Sequence, residues 1–183
     1  ADAHTHRSAV ERCGTYQVDV SNSFGTASAS ATLTVVPPPV VTVQPVGLTV
    51  IAGGSATFNV TATGVAPLTF QWRFNGANLP GATGSSLTLN GVQPAQAGNY
   101  SVEVRNGGGP AVSATATLTV HFALTITAAS GGSVTVQPQQ ASYAPNTPVT
   151  LTVIAEPGFA FAVWAGALGG SANPVTLVMD ANK

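Results

Sequence analysis

Residues 97–106, AGNYSVEVRN, decide the fold, because they join a short turn to a tyrosine and two valines that alternate along the chain. In an extended strand Tyr100, Val102 and Val104 point to one side, and the residues between them point to the other. A near copy, CGTYQVDVSN, occupies residues 13–22. Both copies lead to the same closing sequence, ATLTV, so the chain contains one whole unit and the end of another.

Period-two alternation predicts the other strands of the whole unit, which we place at residues 37–120. The stretch SATFNVTA puts Phe58 and Val60 on one face, with polar residues between them. The stretch FQWRF puts Trp72 on the same face as the two phenylalanines beside it. Asn75-Gly76 follows at once, and this dipeptide favours a tight hairpin turn because both of its residues tolerate positive φ. Two packed sheets are therefore expected.

This pattern resembles a cysteine-free, I-set-like immunoglobulin domain of the kind found in tandem in bacterial secreted and surface proteins. In the immunoglobulin fold a tryptophan of the third strand is buried, and a corner tyrosine bonds back to the preceding turn. Trp72 and Tyr100 hold those positions, while Val60 and Val102 stand where the two core cysteines would be. Each buried valine contributes roughly 1.5–3 kcal/mol. The resemblance thus implies a structural core of Val60, Trp72, Tyr100 and Val102, without a disulfide.

Residues 121–183 show a different sequence pattern, which resembles the divergent internalin-type B-repeat. The resemblance rests on Gly132-Ser133-Val134, Tyr143-Ala144-Pro145, Gly158-Phe159, Trp164, Asn173-Pro174 and Met179-Asp180. The family adds one more strand after that aspartate, so we expect this segment to lack its last strand. Strict alternation places Trp164 opposite its neighbouring phenylalanines, whereas a small module needs a large apolar residue in its centre. We predict Trp164 to be a core residue, with an exposed, sugar-stacking ring as the alternative.

These patterns predict an all-β protein, organised as beads on a string. The first segment, residues 1–36, is interpreted as the last two strands of a preceding immunoglobulin-like domain. The second segment, residues 37–120, is a complete immunoglobulin-like β-sandwich, and the third, residues 121–183, is the smaller β module. The proline-rich stretch VVPPPVV, residues 35–41, favours stiff polyproline geometry between the first two segments.

Composition narrows the class of partner. Charged residues make up 6% of the chain and the net charge is -1, so there is no basic stripe for nucleic acid. No apolar run is long enough for membrane insertion within this sequence. The mixture of hydroxyl and amide side chains with 20 glycines and 13 prolines is typical of exported all-β proteins. We expect an extracellular or cell-surface location, with the export signal outside this segment.

Residues with catalytic or metal-binding chemistry are few and scattered. His4 and His6 would share a face of a strand, but with only Cys13 nearby they do not complete a zinc site. Cys13 itself is interpreted as an incidental thiol. No nucleophile motif occurs, and Asp19 and Glu103 occupy equivalent outward positions in two repeats, which favours solvated surface charge. We therefore predict no enzyme activity, no cofactor and no metal.

The function that these expectations favour is a non-catalytic modular region of a larger exported bacterial protein. Such a region spaces, presents or adheres, and its partners are neighbouring domains of the same chain and a protein or polysaccharide ligand. Loops carry such contacts, and Arg105 and Asn106 are the candidate contact residues. The alternative is an accessory carbohydrate-binding region of a polysaccharide-degrading enzyme. An exposed Trp164 ring beside Tyr143 or Asn173 would favour that alternative.

Overall fold

The computed structural model of the chain describes residues 13–128 and 130–183, and it confirms the predicted all-β fold. His4 and His6, which the sequence raises as metal ligands, lie outside the described residues. Over these residues the regular structure comprises fifteen strands and one short 3₁₀ helix, Pro94–Gln96. The strands are β1 Gly14–Asn22, β2 Gly25–Leu33, β3 Val40–Val43, β4 Leu48–Ile51, β5 Ala56–Asn59, β6 Thr61–Thr63, β7 Thr69–Phe74, β8 Ala77–Asn78, β9 Ser86–Leu89, β10 Gly98–Asn106, β11 Gly109–Val112, β12 Ala116–His121, β13 Gly132–Gln137, β14 Thr147–Ala155 and β15 Val175–Met179.

The first segment contains an antiparallel hairpin of β1 and β2. Its register pairs Val18 with Ala29 and Val20 with Ala27, so these four residues share one face. Asp19 lies opposite Ser28 on the other face. Every residue of both strands is exposed.

The second segment has two layers of strands around one core. One layer has the order β4–β12–β10–β7–β8, with β11 beside β10. The other consists of two ladders, β3–β6 and β5–β9, which share the chain from Ala56 to Thr63. Strand β4 pairs with β12 in parallel, joining Leu48–Ile51 to Leu118–His121. The first and last strands of this layer therefore run side by side in the same direction.

The core of the second segment is built around three aromatic rings. The Phe58 ring stacks on Tyr100 with centroids 4.9 Å apart, and it lies 6.1 Å from the ring of Trp72. Trp72 is fully buried, and its indole N–H donates to the carbonyl of Gly84 at 3.0 Å. Val60 and Val102 are buried in the same cluster. Aliphatic side chains thus fill the place that the fold usually gives to a disulfide.

Tyr100 also closes the turn that precedes its own strand. Its hydroxyl donates to the carbonyl oxygen of Gln96, the last residue of the 3₁₀ helix, at 2.8 Å. Burial raises the pKa of Tyr100, because a buried phenolate would lose its hydration. This bond is the one that the resemblance implied.

The hairpin between β7 and β8 turns at the dipeptide that predicted it. Asn75 and Gly76 have φ angles of 48° and 86°, and positive φ at both central residues is what a type I′ turn requires. The side chain of Asn75 accepts the N–H of Asn99 at 2.9 Å, and the Asn75 N–H donates to the Asn99 carbonyl at 2.8 Å. The turn is therefore tied to the start of β10.

The sequence SATATLTV, residues 113–120, favours one continuous last strand, but β12 begins only at Ala116. Ser113 lies between β11 and β12 and is buried. Its hydroxyl accepts the N–H of Val102 at 3.0 Å and donates to the carbonyl of Ala114 at 2.8 Å. The serine side chain thus takes a place in the ladder, which is how an interrupted strand keeps its backbone groups satisfied.

The third segment is a three-stranded antiparallel sheet, β13–β14–β15, with a cluster of apolar side chains on one face. At the edge of this segment, Lys183 N–H donates to Ala123 O at 2.9 Å, and Thr125 N–H donates to Lys183 O at 2.6 Å. The buried members of the cluster are Phe122, Tyr143, Val149, Leu151, Leu177 and Met179.

The second and third segments meet without a spacer. Strand β12 ends at His121, and Phe122 already pairs with Tyr143. Ala52 N–H donates to His121 O at 2.8 Å, and the side-chain amide of Asn182 donates to Ala52 O at 3.0 Å. Ala52 packs against the cores of both segments.

Candidate functional site

The outer face of the β7–β10 pair carries a cluster of three charged side chains, Arg73, Glu103 and Arg105. Arg73 Nη2 lies 2.5 Å from Glu103 Oε2, and Arg105 Nε donates to Glu103 Oε1. Arg73 Nε also donates to the side-chain oxygen of Asn78 at 3.1 Å. In the ladder Ser101 lies opposite Arg73, and Gln71 lies opposite Glu103. Arg73 and Glu103 are therefore diagonal neighbours on adjacent strands.

The expectation that Glu103 is a solvated surface charge is wrong. Its side chain is only 9% exposed. In the ladders Gln71 lies opposite it on one side and Val112 on the other. Both carboxylate oxygens are held by guanidinium groups, which compensates the charge that burial would otherwise penalise.

The cluster has more positive than negative charge. With two guanidiniums against one carboxylate, it carries one net positive charge. The Arg105 side chain is 58% exposed, so its unused N–H groups face solvent. A guanidinium in this position suits a carboxylate or a carbonyl oxygen of a partner.

Asn106, the second predicted contact residue, is engaged within the protein. Its side-chain amide donates to Pro37 O at 3.0 Å and to Val65 O at 3.2 Å. Its side-chain oxygen accepts the N–H of Gly108 at 2.8 Å. Both amide hydrogens are therefore used. Asn106 braces the proline-rich junction and the 65–68 loop against the turn after β10.

Trp164 is half-buried and packs against the core cluster of the third segment. Its ring lies 5.2 Å from Phe161, and its indole N–H donates to Ala172 O at 2.8 Å. Strict alternation would put the two rings on opposite faces, but residues 159–163 are not a strand. Both rings instead line one cavity of about 700 Å³, together with Leu124, Leu151 and Leu168.

The neighbours named for a sugar-binding Trp164 do not present polar groups beside it. Tyr143 is buried, and its hydroxyl donates to Pro138 O at 3.0 Å. The Asn173 side chain pairs with the backbone of Val153, donating at 3.0 Å and accepting at 2.8 Å. Neither residue lines the cavity beside Trp164.

Other candidate groups are dispersed over the described residues. His121 Nδ1 lies 3.1 Å from Ser142 Oγ, and the exposed Cys13 accepts the N–H of Val35 at 3.2 Å. Asp180 pairs with Lys183 at 2.8 Å, which lowers the pKa of Asp180. Within residues 13–128 and 130–183 no three His, Cys, Asp or Glu side chains come together as a metal site. The same ranges contain no helix able to cross a membrane.

Two features escaped the sequence reasoning, namely the Arg73–Glu103–Arg105 cluster and the cavity of the third segment. The sequence does hint at the cluster, because alternation puts Arg73 on the outward face of β7 and puts Glu103 and Arg105 on the outward face of β10. Only the pairing of β7 with β10 brings those faces together. The sequence gives no indication of the cavity, because its wall includes the irregular chain at 159–168.

Parts of the chain are similar to a known protein sequence and to solved structures. It is 37% identical over 89 residues to Endoglucanase C of Cellulomonas fimi, covering 46% of this chain and 8% of that protein. Drosophila OTK, extracellular domains 3–5, superposes with a TM-score of 0.52 and 25% identity, covering 61% of this chain and 41% of that one. A chimeric titin Z1Z2 tandem gives a TM-score of 0.43 and 29% identity, covering 62% and 67%. The chain thus spans less than half of the first two proteins.

Family matches confirm the predicted kind and order of modules. Residues 38–106 match the immunoglobulin domain family, and residues 122–183 match the divergent InlB B-repeat domain family. The chain therefore joins an immunoglobulin-type domain to a divergent B-repeat, in that order.

Proposed function

We propose that this chain is a non-catalytic spacer and presentation region of an exported or surface protein. The observation that carries the proposal is the path of the chain through the second segment. The chain arrives at Pro37, whose carbonyl is held by Asn106, and leaves at His121, beside Ile51. Residues 109–121 connect these two places through β11 and β12, a path of at most about 40 Å at ~3.3 Å per extended residue. Each such unit therefore lengthens the chain.

The parallel pairing of β4 with β12 suits a unit that bears tension. Pulling the chain at both ends of the second segment draws Leu48–Ile51 and Leu118–His121 in opposite directions along their axes. The hydrogen bonds of a parallel ladder are evenly spaced and cross from strand to strand at a slant. All bonds of this ladder are then loaded together, whereas pulling strands apart sideways breaks bonds one after another.

The junction with the third segment supports the same role. The bonds that Ala52 makes with His121 and Asn182 tie the two segments together directly. A chain without a flexible linker at this point transmits position and tension from one module to the next.

The test of the spacer proposal is to stretch the chain between its ends. We expect the second segment to unfold in one step at a higher force than when it is pulled between β5 and β9. These two strands are antiparallel neighbours in the other layer, and attachment at Ala56 and Leu89 would separate them from one end. Equal unfolding forces for the two directions would contradict the proposal.

A second candidate function is an accessory carbohydrate-binding region. The similarity to Endoglucanase C over 89 residues favours it, and Phe159 offers an exposed ring beside the Trp164 cavity. Aromatic faces stack on sugar rings through their apolar surface.

Retention on insoluble polysaccharides separates the two functions. The spacer proposal predicts that the chain stays in the supernatant with cellulose and with other insoluble glucans. Retention that Trp164→Ala abolishes would favour the carbohydrate function instead. Phe24→Ala is the matched control, because Phe24 is an exposed aromatic residue in the distant β1–β2 turn.

A further inference from the structure

The β1–β2 hairpin exposes an apolar face that has a buried counterpart in the same chain. Val18 and Val20 are 57% and 65% exposed. Their counterparts in the repeat, Val102 and Val104, are both 0% exposed. The apolar face of β1–β2 thus has the residue pattern of a buried face, but the described residues leave it exposed.

The register of the hairpin matches that of the buried counterpart at the tyrosine, before the interruption at Ser113. Tyr16 pairs with Ala31 in β1–β2, and Tyr100 pairs with Ala116 in β10–β12. Ala31 and Ala116 each open the shared ATLTV sequence. Because side chains alternate with a period of two, equal register puts the equivalent residues on the equivalent face.

What covers the counterpart face is known from the second segment. Val102 packs in one cluster with Phe58 of β5 and Trp72 of β7. Strand β7 also forms a six-residue ladder with β10, from Thr69↔Arg105 to Phe74↔Tyr100. We propose that the apolar face of β1–β2 docks a polypeptide segment with the strand pattern of β3–β9, which completes a second sandwich.

Charge on the outer face fits the same partner. Asp19 is the counterpart of Glu103, which pairs with Arg73 of β7. A β7-like strand beside β1 brings such an arginine next to Asp19. Among the described residues, Ser28 and Gln17 donate to the Asp19 carboxylate.

A second copy of the hairpin is a poorer occupant because the area is too small. Nine residues at ~3.3 Å by two strands give a face of about 300 Å². A stable interface buries about 800 Å² on each partner. The β3–β9 type of segment covers the same face and adds a ladder along the edge of β1, which a face-to-face pair of hairpins does not.

The test uses the whole chain and a separate polypeptide of residues 37–96, diluted together from denaturant. The readout is amide hydrogen exchange, followed separately over residues 14–33 and residues 98–120. We expect exchange over residues 14–33 to slow by at least about tenfold when the polypeptide is present. Unchanged exchange over residues 14–33 would overturn the proposal. Protection that grows with the concentration of the chain alone would overturn it too, since it indicates a second copy.

Two variants locate the docking face. Val18→Asp puts a charge in the centre of the apolar face and should abolish the protection. Ser30→Asp puts the same charge on the polar face, opposite Gln17, and should leave the protection intact. Both residues are exposed, so the unfolding of residues 37–120 should not change in either variant. Equal protection in the two variants would contradict docking on the apolar face.

Discussion

At the residue scale, the stability of the immunoglobulin-type domain depends on side chains that satisfy backbone groups inside it. Tyr100 donates to Gln96 O and Trp72 donates to Gly84 O, so each large ring fills the core and also fixes a turn. Ser113 does the same for the interrupted last strand. These bonds matter because an unpaired polar group in a core costs about 1–3 kcal/mol.

Tyr100→Phe should therefore destabilise the domain by about 1 kcal/mol, since it removes one hydrogen bond and leaves the Gln96 carbonyl without this donor. It should also change the dependence on pH. Burial raises the pKa of Tyr100 in the folded state, whereas the unfolded chain ionises near pH 10. Stability is then complete below about pH 10 and falls as the pH rises towards the folded pKa. Tyr100→Phe should lose this alkaline decline, as measured by denaturant unfolding between pH 8 and about pH 11.

Tyr143→Phe is the matched control. Tyr143 is also buried and donates to a backbone carbonyl, but in the third segment. It should weaken the third segment and leave the alkaline decline of the second segment in place. If Tyr100→Phe kept the full decline, the Tyr100 hydroxyl would not be its source.

Sequence reasoning works for single residues when one strand decides the outcome. Trp72 and Tyr100 could be placed because their neighbours alternate within β7 and within β10. Glu103 could not, because its burial depends on Arg73 from another strand and on Val112 opposite it. The role of Asn106 is equally non-local, since Pro37 lies 69 residues away.

At the element scale, the turn after β10 holds the chain as it reaches the second segment. Gly107 and Gly108 form this turn, and the backbone of Val36 and Pro37 lies against Gly108. Asn106 reinforces the contact by donating to Pro37 O. The place where the chain arrives is thus set by a glycine and an asparagine rather than by strand pairing.

Gly108→Ala tests this contact. A methyl group there would overlap the Val36 carbonyl and the Pro37 backbone, while the same group on Gly107 meets open space. We expect Gly108→Ala to cost about 1–3 kcal/mol, as overpacking does, and Gly107→Ala to cost under about 0.5 kcal/mol. Chemical denaturation of the two variants measures the difference. Equal stabilities would mean that the junction does not rest on this turn.

Strands with alternating apolar residues could be predicted, and short or irregular elements could not. Strand β5 lies within SATFNVTA and β10 lies within AGNYSVEVRN, and β7 begins one residue before FQWRF. Strand β8 has two residues, Ala77–Asn78, and depends on the Asn75-Gly76 turn for its pairing. The chain at 159–163 alternates like a strand but is not one, so alternation does not decide where the Trp164 ring lies.

At the scale of the whole molecule, the described chain consists of units joined with little intervening chain. The parallel β4–β12 pair closes the second segment, and Ala52 links it to the third. This layout supports a role in spacing and presentation. The exposed hairpin β1–β2 fits this organisation, because its strands are suited to pair and pack with further strands.

The most direct test is mechanical, and it places proline in the β4–β12 pair. Ala52 N–H donates to His121 O, and donors alternate along a parallel ladder, so the Val50 N–H also faces β12. Val50→Pro removes that donor, whereas Thr88→Pro disturbs β9, outside the loaded pair. With the chain stretched between its ends, we predict that Val50→Pro clearly lowers the unfolding force of the second segment and that Thr88→Pro leaves it near the parent value. An equal loss in both variants, or no loss in Val50→Pro, would contradict the spacer account.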